Sequence, residues 1–285
     1  MSNYKKRRAS PGNYSKPKGR KRSSGKQFIK IIAIGLAAAA CISLVGGLFA
    51  NRSEKPKVEQ PTDPVTESNV TYLWAERTYQ WPIDKTVADG KLTLTQTQGS
   101  ATTSSNCTQL YLTTVEDDVT SVPAWTDYTL ETNVKVASCE TRTEFSLMGR
   151  LHTNEDGSFS YYDIKFRTDN NQVAVLKNTV SSGGSKDYKM VAMVDSVFTN
   201  DEFHKLRVKF TGNLIEIYVD DFSKPCLRYE DPEAYTSGTV GVDLARLGTA
   251  EVDYVKVYNS KHEIVFVDNF DDTRYFAADD SEATE

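Results

Sequence analysis

The stretch that decides the fold is residues 203–220, which reads FHKLRVKFTGNLIEIYVD. Apolar and basic residues alternate along its first half, which is typical of a β-strand with one face on a core and the other in water. Gly212 and Asn213 separate the two halves, and both residue types tolerate the positive φ angles of a tight turn. The stretch therefore predicts an antiparallel hairpin of strands 204–211 and 214–220.

The same alternation recurs through residues 70–270, separated by turn signals such as 154–157 and 182–184. No long amphipathic helix interrupts it. About a dozen antiparallel strands without helices form a two-sheet sandwich or a barrel, so the predicted fold class is all-β. The further predicted strands are 128–136, 145–152, 159–167, 239–244, 250–258 and 263–267.

Residues 28–50, FIKIIAIGLAAAACISLVGGLFA, are far more apolar than the rest of the chain. The twenty residues from 31 to 50 carry no charge. At a helical rise of about 1.5 Å per residue they span roughly 30 Å, the thickness of the hydrocarbon core of a bilayer. This segment predicts one transmembrane α-helix, followed over residues 51–69 by a Pro-rich polar linker.

The charges before this helix predict its orientation. Residues 1–30 hold eleven of the chain's 34 Lys and Arg, and no Asp or Glu. An excess of Lys and Arg stays on the cytoplasmic side. We therefore expect a single-pass protein of the cell membrane, with a cytoplasmic N-terminus and an extracellular C-terminal domain. Two alternatives stay open: a lipoprotein signal ending at Cys41, and a cleaved signal peptide, which the bulky Leu48 disfavours.

The N-terminal tail, residues 1–27, is basic and polar and has too few apolar residues to fold, so we expect it to be disordered. We expect it to lie on anionic lipid, where each charge near the surface contributes about 1 kcal/mol. No aromatic stacking motif accompanies the charges, so nucleic-acid binding is not predicted. A second tail, residues 271–285, is acidic.

Three cysteines follow the apolar segment: Cys107, Cys139 and Cys226. An odd number of cysteines this far apart is not a disulfide framework, so at most one pair forms. No Cys and His spacing indicates a zinc site.

Several of these stretches resemble strands of the concanavalin A-like lectin/glucanase superfamily, in its laminin-G-like and carbohydrate-module branches. The resemblance covers residues 70–270 and implies a jelly roll of two curved antiparallel sheets. It does not select a function, because this fold hosts lectins, glycosidases, adhesion modules and structural spacers. The resembling stretches are 125–134 (WTDYTLETNV), 161–166 (YYDIKF), 203–220, 238–242 (GTVGV) and 252–258 (VDYVKVY).

The end of the chain departs from the superfamily pattern. Members often open with a short strand carrying an Asp-Asp-Phe-like motif, whereas here a similar sequence, 265–272 (VFVDNFDD), comes last. The resemblance implies that this C-terminal strand takes the usual edge position of the N-terminal one. It also implies a structural calcium between Asp253 and Asp268, although calcium takes about six to eight oxygens and solvated surface carboxylates are the alternative. No cofactor is required.

The sequence offers little catalytic chemistry. The Glu-x-Asp-x-x-Glu strand motif of the superfamily's glucanases is absent, as is Gly-x-Ser-x-Gly. The nearest acid groups, 116–118, 155–156 and 220–221, stand at predicted turns. A retaining glycosidase needs two carboxylates about 5–5.5 Å apart. Since pairs from different strands are invisible in a sequence, a hydrolase of that kind stays open.

A binding patch is predicted on strands 145–152 and 159–167, which a short loop makes neighbours. Arg150 and His152 are expected to share an outward face with Tyr161 and Asp163. Such polar groups beside an aromatic ring suit a sugar, because they bond its hydroxyls while the ring covers its C–H groups. An ordinary solvated sheet face is the alternative.

The preferred functional hypothesis is a membrane-anchored, extracytoplasmic and non-catalytic domain that binds carbohydrate, either a cell-wall glycan or an external polysaccharide. Two other classes remain. The domain is a structural or protein-binding module with a cell-surface protein partner, or it is a glycoside hydrolase with an unrecognised carboxylate pair.

Overall fold

The computed structural model describes residues 70–78, 81–98, 108–116, 119–138 and 143–276. Within these ranges the chain forms sixteen β-strands and no helix. It follows that none of the described residues form a helix that could cross a membrane. The predicted tail 1–27, transmembrane helix 28–50 and linker 51–69 lie outside them, so these stay predictions.

The strands are short, as is usual in globular proteins. In the first half of the domain they are β1 (Thr71–Arg77), β2 (Asp84–Ala88), β3 (Lys91–Gln96), β4 (Gln109–Glu116), β5 (Val119–Ser121), β6 (Tyr128–Val136), β7 (Glu144–Thr153) and β8 (Phe159–Arg167). In the second half they are β9 (Gln172–Val180), β10 (Lys186–Asp195), β11 (Phe203–Thr211), β12 (Leu214–Val219), β13 (Leu227–Glu230), β14 (Thr239–Ala245), β15 (Gly248–Asn259) and β16 (Ile264–Asp268).

The strands form two antiparallel sheets. Sheet I has the order β1-β4-β14-β7-β8-β9-β10, with β5 beside β4. Sheet II has the order β13-β12-β11-β6-β15-β3-β2, with β16 beside β15. Consecutive strands often lie in different sheets, so neither sheet forms without the other. The all-β sandwich that the sequence predicts is confirmed.

The hydrophobic core lies between the sheets and takes alternate residues from both. Leu147 and Tyr162 reach it from sheet I, and Val208 and Ile217 from sheet II, all fully buried. Burying an aliphatic side chain such as Leu147 contributes about 1.5–3 kcal/mol. The pairing of Thr211 with Leu214 leaves Gly212, at φ 55°, in the turn between β11 and β12. The predicted hairpin is therefore confirmed.

Strand β7 contains an irregularity that the sequence does not reveal. The pairing of β7 with β8 shifts between Gly149 and His152, and Arg150 has a φ of 49°. An irregularity of this kind reverses which faces the following residues occupy. Arg150 accordingly turns inward, where its main-chain N–H donates to the Tyr128 hydroxyl at 2.6 Å. Its guanidinium lies 5.3 Å from the centre of the Phe210 ring.

Both ends of the domain meet at one side of the sandwich. Strand β16 pairs only with β15 among the described residues, so it lies at an edge of sheet II, and its taking the usual place of an N-terminal strand stays a prediction. The Trp74 indole of β1 donates to the Asp268 carboxylate at 2.8 Å. The main-chain N–H of Trp74 donates to the Tyr275 carbonyl at 2.6 Å. The C-terminal segment thereby holds the first strand in place.

Cys226 is a partly buried free thiol. Cys107 and Cys139 lie outside the described residues, so the prediction of at most one disulfide pair stays a prediction.

A substitution at Gly149 tests the packing beside the irregularity in β7. A Cβ at this position would overlap the Phe210 ring. We expect Gly149→Ala to lower the free energy of unfolding by about 1–3 kcal/mol, the usual cost of overpacking a core. The matched control is Gly183→Ala, because a Cβ there meets only a serine hydroxyl at ordinary contact distance. Urea unfolding of both variants measures the difference, and equal stabilities would contradict the described packing of β7.

Candidate functional site

Part of the outer face of sheet I, which points away from the core, is a cluster of charged and polar side chains. We call this cluster the charged face. It is unusual because its side chains are buried, with exposures of 1% for Asp163 and 5% for Asp243. Alternation brings the members together, since adjacent strands present residues of the same face side by side. The charged face consists of Glu144 and Ser146 of β7, Asp163 and Lys165 of β8, Asn178 of β9 and Asp243 of β14.

Lys165 is the centre of the charged face. Its Nζ lies 3.1 Å from Oε2 of Glu144 and 3.7 Å from Oδ2 of Asp163. The Asn178 side-chain amide donates to the same Asp163 oxygen at 3.2 Å. The Lys165 ammonium compensates part of the charge on both carboxylates, so removing it would leave buried negative charge with less compensation.

The surroundings shift the ionisation of these groups in opposite directions. Burial raises the pKa of Asp243 to about 6, and the Asp163 carboxylate adds to the effect while the Lys165 ammonium opposes it. Burial also acts on Glu144, but the cations of Lys165 and Arg246 prevail and lower its pKa. Near neutral pH Glu144 is therefore ionised, whereas Asp243 is close to its titration point.

Four buried oxygens of the charged face lack a hydrogen-bond partner within the described part of the chain. They are Oδ1 of Asp163, Oδ1 of Asp243, Oδ1 of Asn178 and Oγ of Ser146. Buried polar atoms are nearly always paired, and leaving one unpaired costs about 1–3 kcal/mol. All four accept hydrogen bonds, so the face has unused capacity for a ligand that brings donors.

An open aromatic ring borders the charged face. Asn178 stands opposite Tyr161 on one side and opposite Tyr188 of β10 on the other, so the three share one face. Tyr161 is buried, and its hydroxyl accepts a hydrogen bond from the Gln109 amide at 2.8 Å. Tyr188 is 64% exposed. Across the three strands the row therefore consists of the buried Tyr161, the unpaired amide oxygen of Asn178 and the exposed ring of Tyr188.

The four residues predicted to share an outward face do not do so. Tyr161 and Asp163 belong to the outer face of sheet I, as expected. Arg150 and His152 lie on the inner side, because the irregularity in β7 reverses the faces, and this part of the prediction is wrong. Arg150 is 1% exposed and donates to the main-chain carbonyls of Tyr235 and Thr126. The His152 ring packs edge-on against Tyr235, 5.3 Å between centres.

Arg150 and His152 instead support a second opening, which we call the tyrosine cleft. It lies where β9 and the edge strand β10 face the segment that follows β13, and its volume is about 440 Å³. A smaller depression of about 260 Å³ lies on the outer face of sheet II, near Arg207 and Tyr218. The tyrosine cleft is lined by Lys177, Tyr188, Lys189, Tyr229, Asp231 and Tyr235, among others.

Sequence reasoning missed Glu144, Lys165, Asn178 and Asp243. Each is the polar member of an apolar–polar alternation, and alternation gives such residues a solvated position by default. The signal available in the sequence was the recurrence of opposite charges at the outward positions of neighbouring strands. That signal does not show that these side chains are buried.

The two carboxylates predicted to hold calcium have separate partners. Asp268 is buried, and accepts hydrogen bonds from the Trp74 indole and, at 2.8 Å, from the Phe270 main-chain N–H. Asp253 accepts one from the Asn133 amide at 2.5 Å. Among the described residues, no three His, Cys, Asp or Glu side chains are grouped to hold a metal ion. The calcium site stays a prediction.

No family model and no curated protein matches this sequence. Solved structures similar to it include a carbohydrate-binding module from Bacillus subtilis, at 15% identity and a TM-score of 0.45, covering 64% of this chain and 94% of that one. A protein of unknown function with a galectin-like fold, also from Bacillus subtilis, has 10% identity and a TM-score of 0.44, with coverages of 69% and 90%.

A third similar structure is a prokaryotic β-1,3-1,4-glucanase (lichenase) derived from a mouse hindgut metagenome, with 16% identity, a TM-score of 0.43 and coverages of 66% and 92%. With identities this low and TM-scores of 0.43 to 0.45, these likenesses do not specify what this chain binds.

Asp268 gives a test of the contact between the two ends of the domain. Burial raises its pKa to about 6, although the hydrogen bond from Trp74 opposes this. The folded protein therefore binds a proton more tightly than the unfolded chain, and this stabilisation is lost as the pH rises through about 6. In Asp268→Asn the amide oxygen still accepts from Trp74, but nothing titrates.

We expect the stability of the wild type relative to Asp268→Asn to fall by on the order of 1–3 kcal/mol between about pH 4 and pH 7.5. Urea unfolding at several pH values measures this difference. A difference that stays constant across the range would contradict the buried position of Asp268.

Proposed function

We propose that this domain binds carbohydrate at the charged face, with Tyr188 as the ring that stacks on the sugar. The observation that carries the proposal is the group of four unpaired acceptor oxygens on Asp163, Asp243, Asn178 and Ser146, which are buried, so that a ligand reaches them only when the groups that cover them move aside. Sugar hydroxyls donate hydrogen bonds, and a sugar also presents C–H groups to an aromatic ring. The charged face and its exposed neighbour Tyr188 offer both kinds of contact.

The charges near the face favour a neutral ligand. The Lys165 ammonium and the nearby Lys186, whose Nζ is 3.9 Å from Asp163, oppose a cation. The carboxylates of Glu144 and Asp163 oppose an anion. A neutral polyhydroxylated molecule meets neither repulsion, and the fixed, buried positions of the acceptors reduce the entropy that binding costs.

The site is part of a larger proposal for the whole chain. Residues 28–50 anchor it as a single transmembrane helix, and the basic tail stays on the cytoplasmic, anionic side of the membrane. The domain is then displayed outside the cell, where a cell-wall glycan or an external polysaccharide is within reach of a tethered protein. What supports this part is the apolar run and the charge asymmetry of the sequence.

A glycoside hydrolase is the second candidate, and one observation favours it. Burial raises the pKa of Asp243 to about 6, with a smaller contribution from the Glu144 carboxylate, whereas the cations of Lys165 and Arg246 lower the pKa of Glu144. A protonated and an ionised carboxyl group on one face are the general acid and the base or nucleophile that this reaction needs. In this version Asp243 protonates the departing oxygen.

A protein-binding module is the remaining class, and the exposed apolar residues of β10 favour it. Met190 and Met193 are 47% and 49% exposed on this edge strand. If no glycan binds in the experiment below, and if the chain captures a surface protein through these methionines, the protein-binding class replaces the carbohydrate proposal.

The test is binding of the full chain in detergent to an array of cell-wall and algal glycans, followed by titration of the best ligand. We expect Tyr188→Ala and Asp163→Asn each to weaken binding by about tenfold or more, a loss of ~1.4 kcal/mol. Tyr218→Ala, on the outer face of sheet II, is the control and should bind normally. Binding that survives both changes would contradict the proposed site.

The same mixtures show whether the ligand is cut. New reducing ends that appear with the wild type and vanish in Asp243→Asn would establish the hydrolase. Stable ligand in every mixture would establish binding alone. Thermal unfolding of each variant checks that the loss of function is not a loss of fold.

A further inference from the structure

The tyrosine cleft lies around the edge of sheet I from the charged face, and the two meet at Tyr188. Tyr188 stands opposite Asn178 on the charged face and also lines the cleft. Strand β10 is the last strand of sheet I, so only the width of this strand separates the two. A ligand that stacks on Tyr188 thus has two directions in which to continue.

The floor of the tyrosine cleft is held rigid by Asp231. Its carboxylate accepts hydrogen bonds from the Tyr162 hydroxyl at 2.6 Å and the Glu233 main-chain N–H at 3.0 Å. The Lys177 ammonium lies 2.9 Å from the same carboxylate. Burial opposes the ionised form, yet these donors prevail and the pKa of Asp231 is lowered. Asp231 is therefore an ionised, saturated anchor.

The wall of the cleft at Tyr235 is fixed from three sides. The Arg150 guanidinium donates to its main-chain carbonyl, and the Tyr162 hydroxyl accepts from its main-chain N–H at 3.1 Å. The Lys177 ammonium lies 4.7 Å from the centre of its ring. Buried groups thus position the wall before any ligand arrives, which is how a site limits the entropy lost on binding.

The accessible groups of the cleft carry both signs of charge. Asp187 and Glu233 are exposed carboxylates, and Lys189 is an exposed ammonium. Beside them stands the ring of Tyr229, which is partly buried at the edge of sheet II. Mixed charges favour neither an anionic nor a cationic ligand, whereas hydroxyl groups can donate to carboxylates and accept from an ammonium.

We infer that a glycan bound at the charged face continues across β10 into the tyrosine cleft, so that the ligand is a neutral oligosaccharide chain rather than a single sugar. This inference rests on the proposed function and adds the class of ligand. Binding should consequently strengthen with chain length until the chain fills the cleft, and only long chains should contact Tyr229.

The experiment uses the full chain and oligosaccharide ladders of β-1,3-glucan, cellulose and chitin, from the disaccharide to the octasaccharide. Titration calorimetry gives the affinity of each member for the wild type, Asp163→Asn and Tyr229→Ala. We expect Asp163→Asn to weaken all lengths alike. We expect Tyr229→Ala to leave the shortest binders unchanged and to remove the gain of the longer ones, about tenfold, or ~1.4 kcal/mol.

Lys189→Ala is the second variant, because Tyr229 also packs against the core whereas Lys189 is exposed. It should reproduce the length-dependent loss without changing thermal stability. If the wild type and both cleft variants bind long chains with equal affinity, the inference is overturned, whereas the proposed function stays intact. If no member of any ladder binds the wild type, the proposed function itself fails and the inference with it.

Discussion

The ammonium of Lys165, placed between the carboxylates of Glu144 and Asp163, is the interaction on which the character of sheet I depends. The charged side chains on the outer face of sheet I are buried, so their charges must compensate one another. Lys165 provides this compensation while occupying only one oxygen of Asp163. The second oxygen remains unpaired, as do those of Asn178 and Asp243. The ion pairs of Lys165 thus stabilise the charged face and also leave some of its oxygens without a hydrogen-bond partner.

A comparable arrangement exists on the inner side of the same sheet. Asp231 is saturated by Tyr162, Lys177 and the backbone, and Arg150 ties the following segment to the sandwich. The outer network leaves acceptors unused, whereas the inner one is complete and serves as a support. Strand β10 borders both, and its Tyr188 is exposed and lines the tyrosine cleft.

Local pattern was enough to predict much of the fold. Alternation gave strands β6, β8 and the β11–β12 hairpin with nearly correct bounds, because each has one apolar face and a definite turn. The reversal at Arg150 could not be predicted, since a left-handed backbone at a non-glycine residue has no sequence signature and depends on the Phe210 ring against Gly149. Half of the predicted patch was misplaced for that reason. The charged face was missed because its members come from four strands.

The most direct measurement of the central claim is a crystal structure of the domain with a bound oligosaccharide. The account predicts sugar hydroxyls within hydrogen-bond distance of the free oxygens of Asp163 and Asn178, and a sugar ring against the Tyr188 side chain. A ligand seated in the depression of sheet II beside Arg207 and Tyr218, with the charged face unchanged, would contradict it.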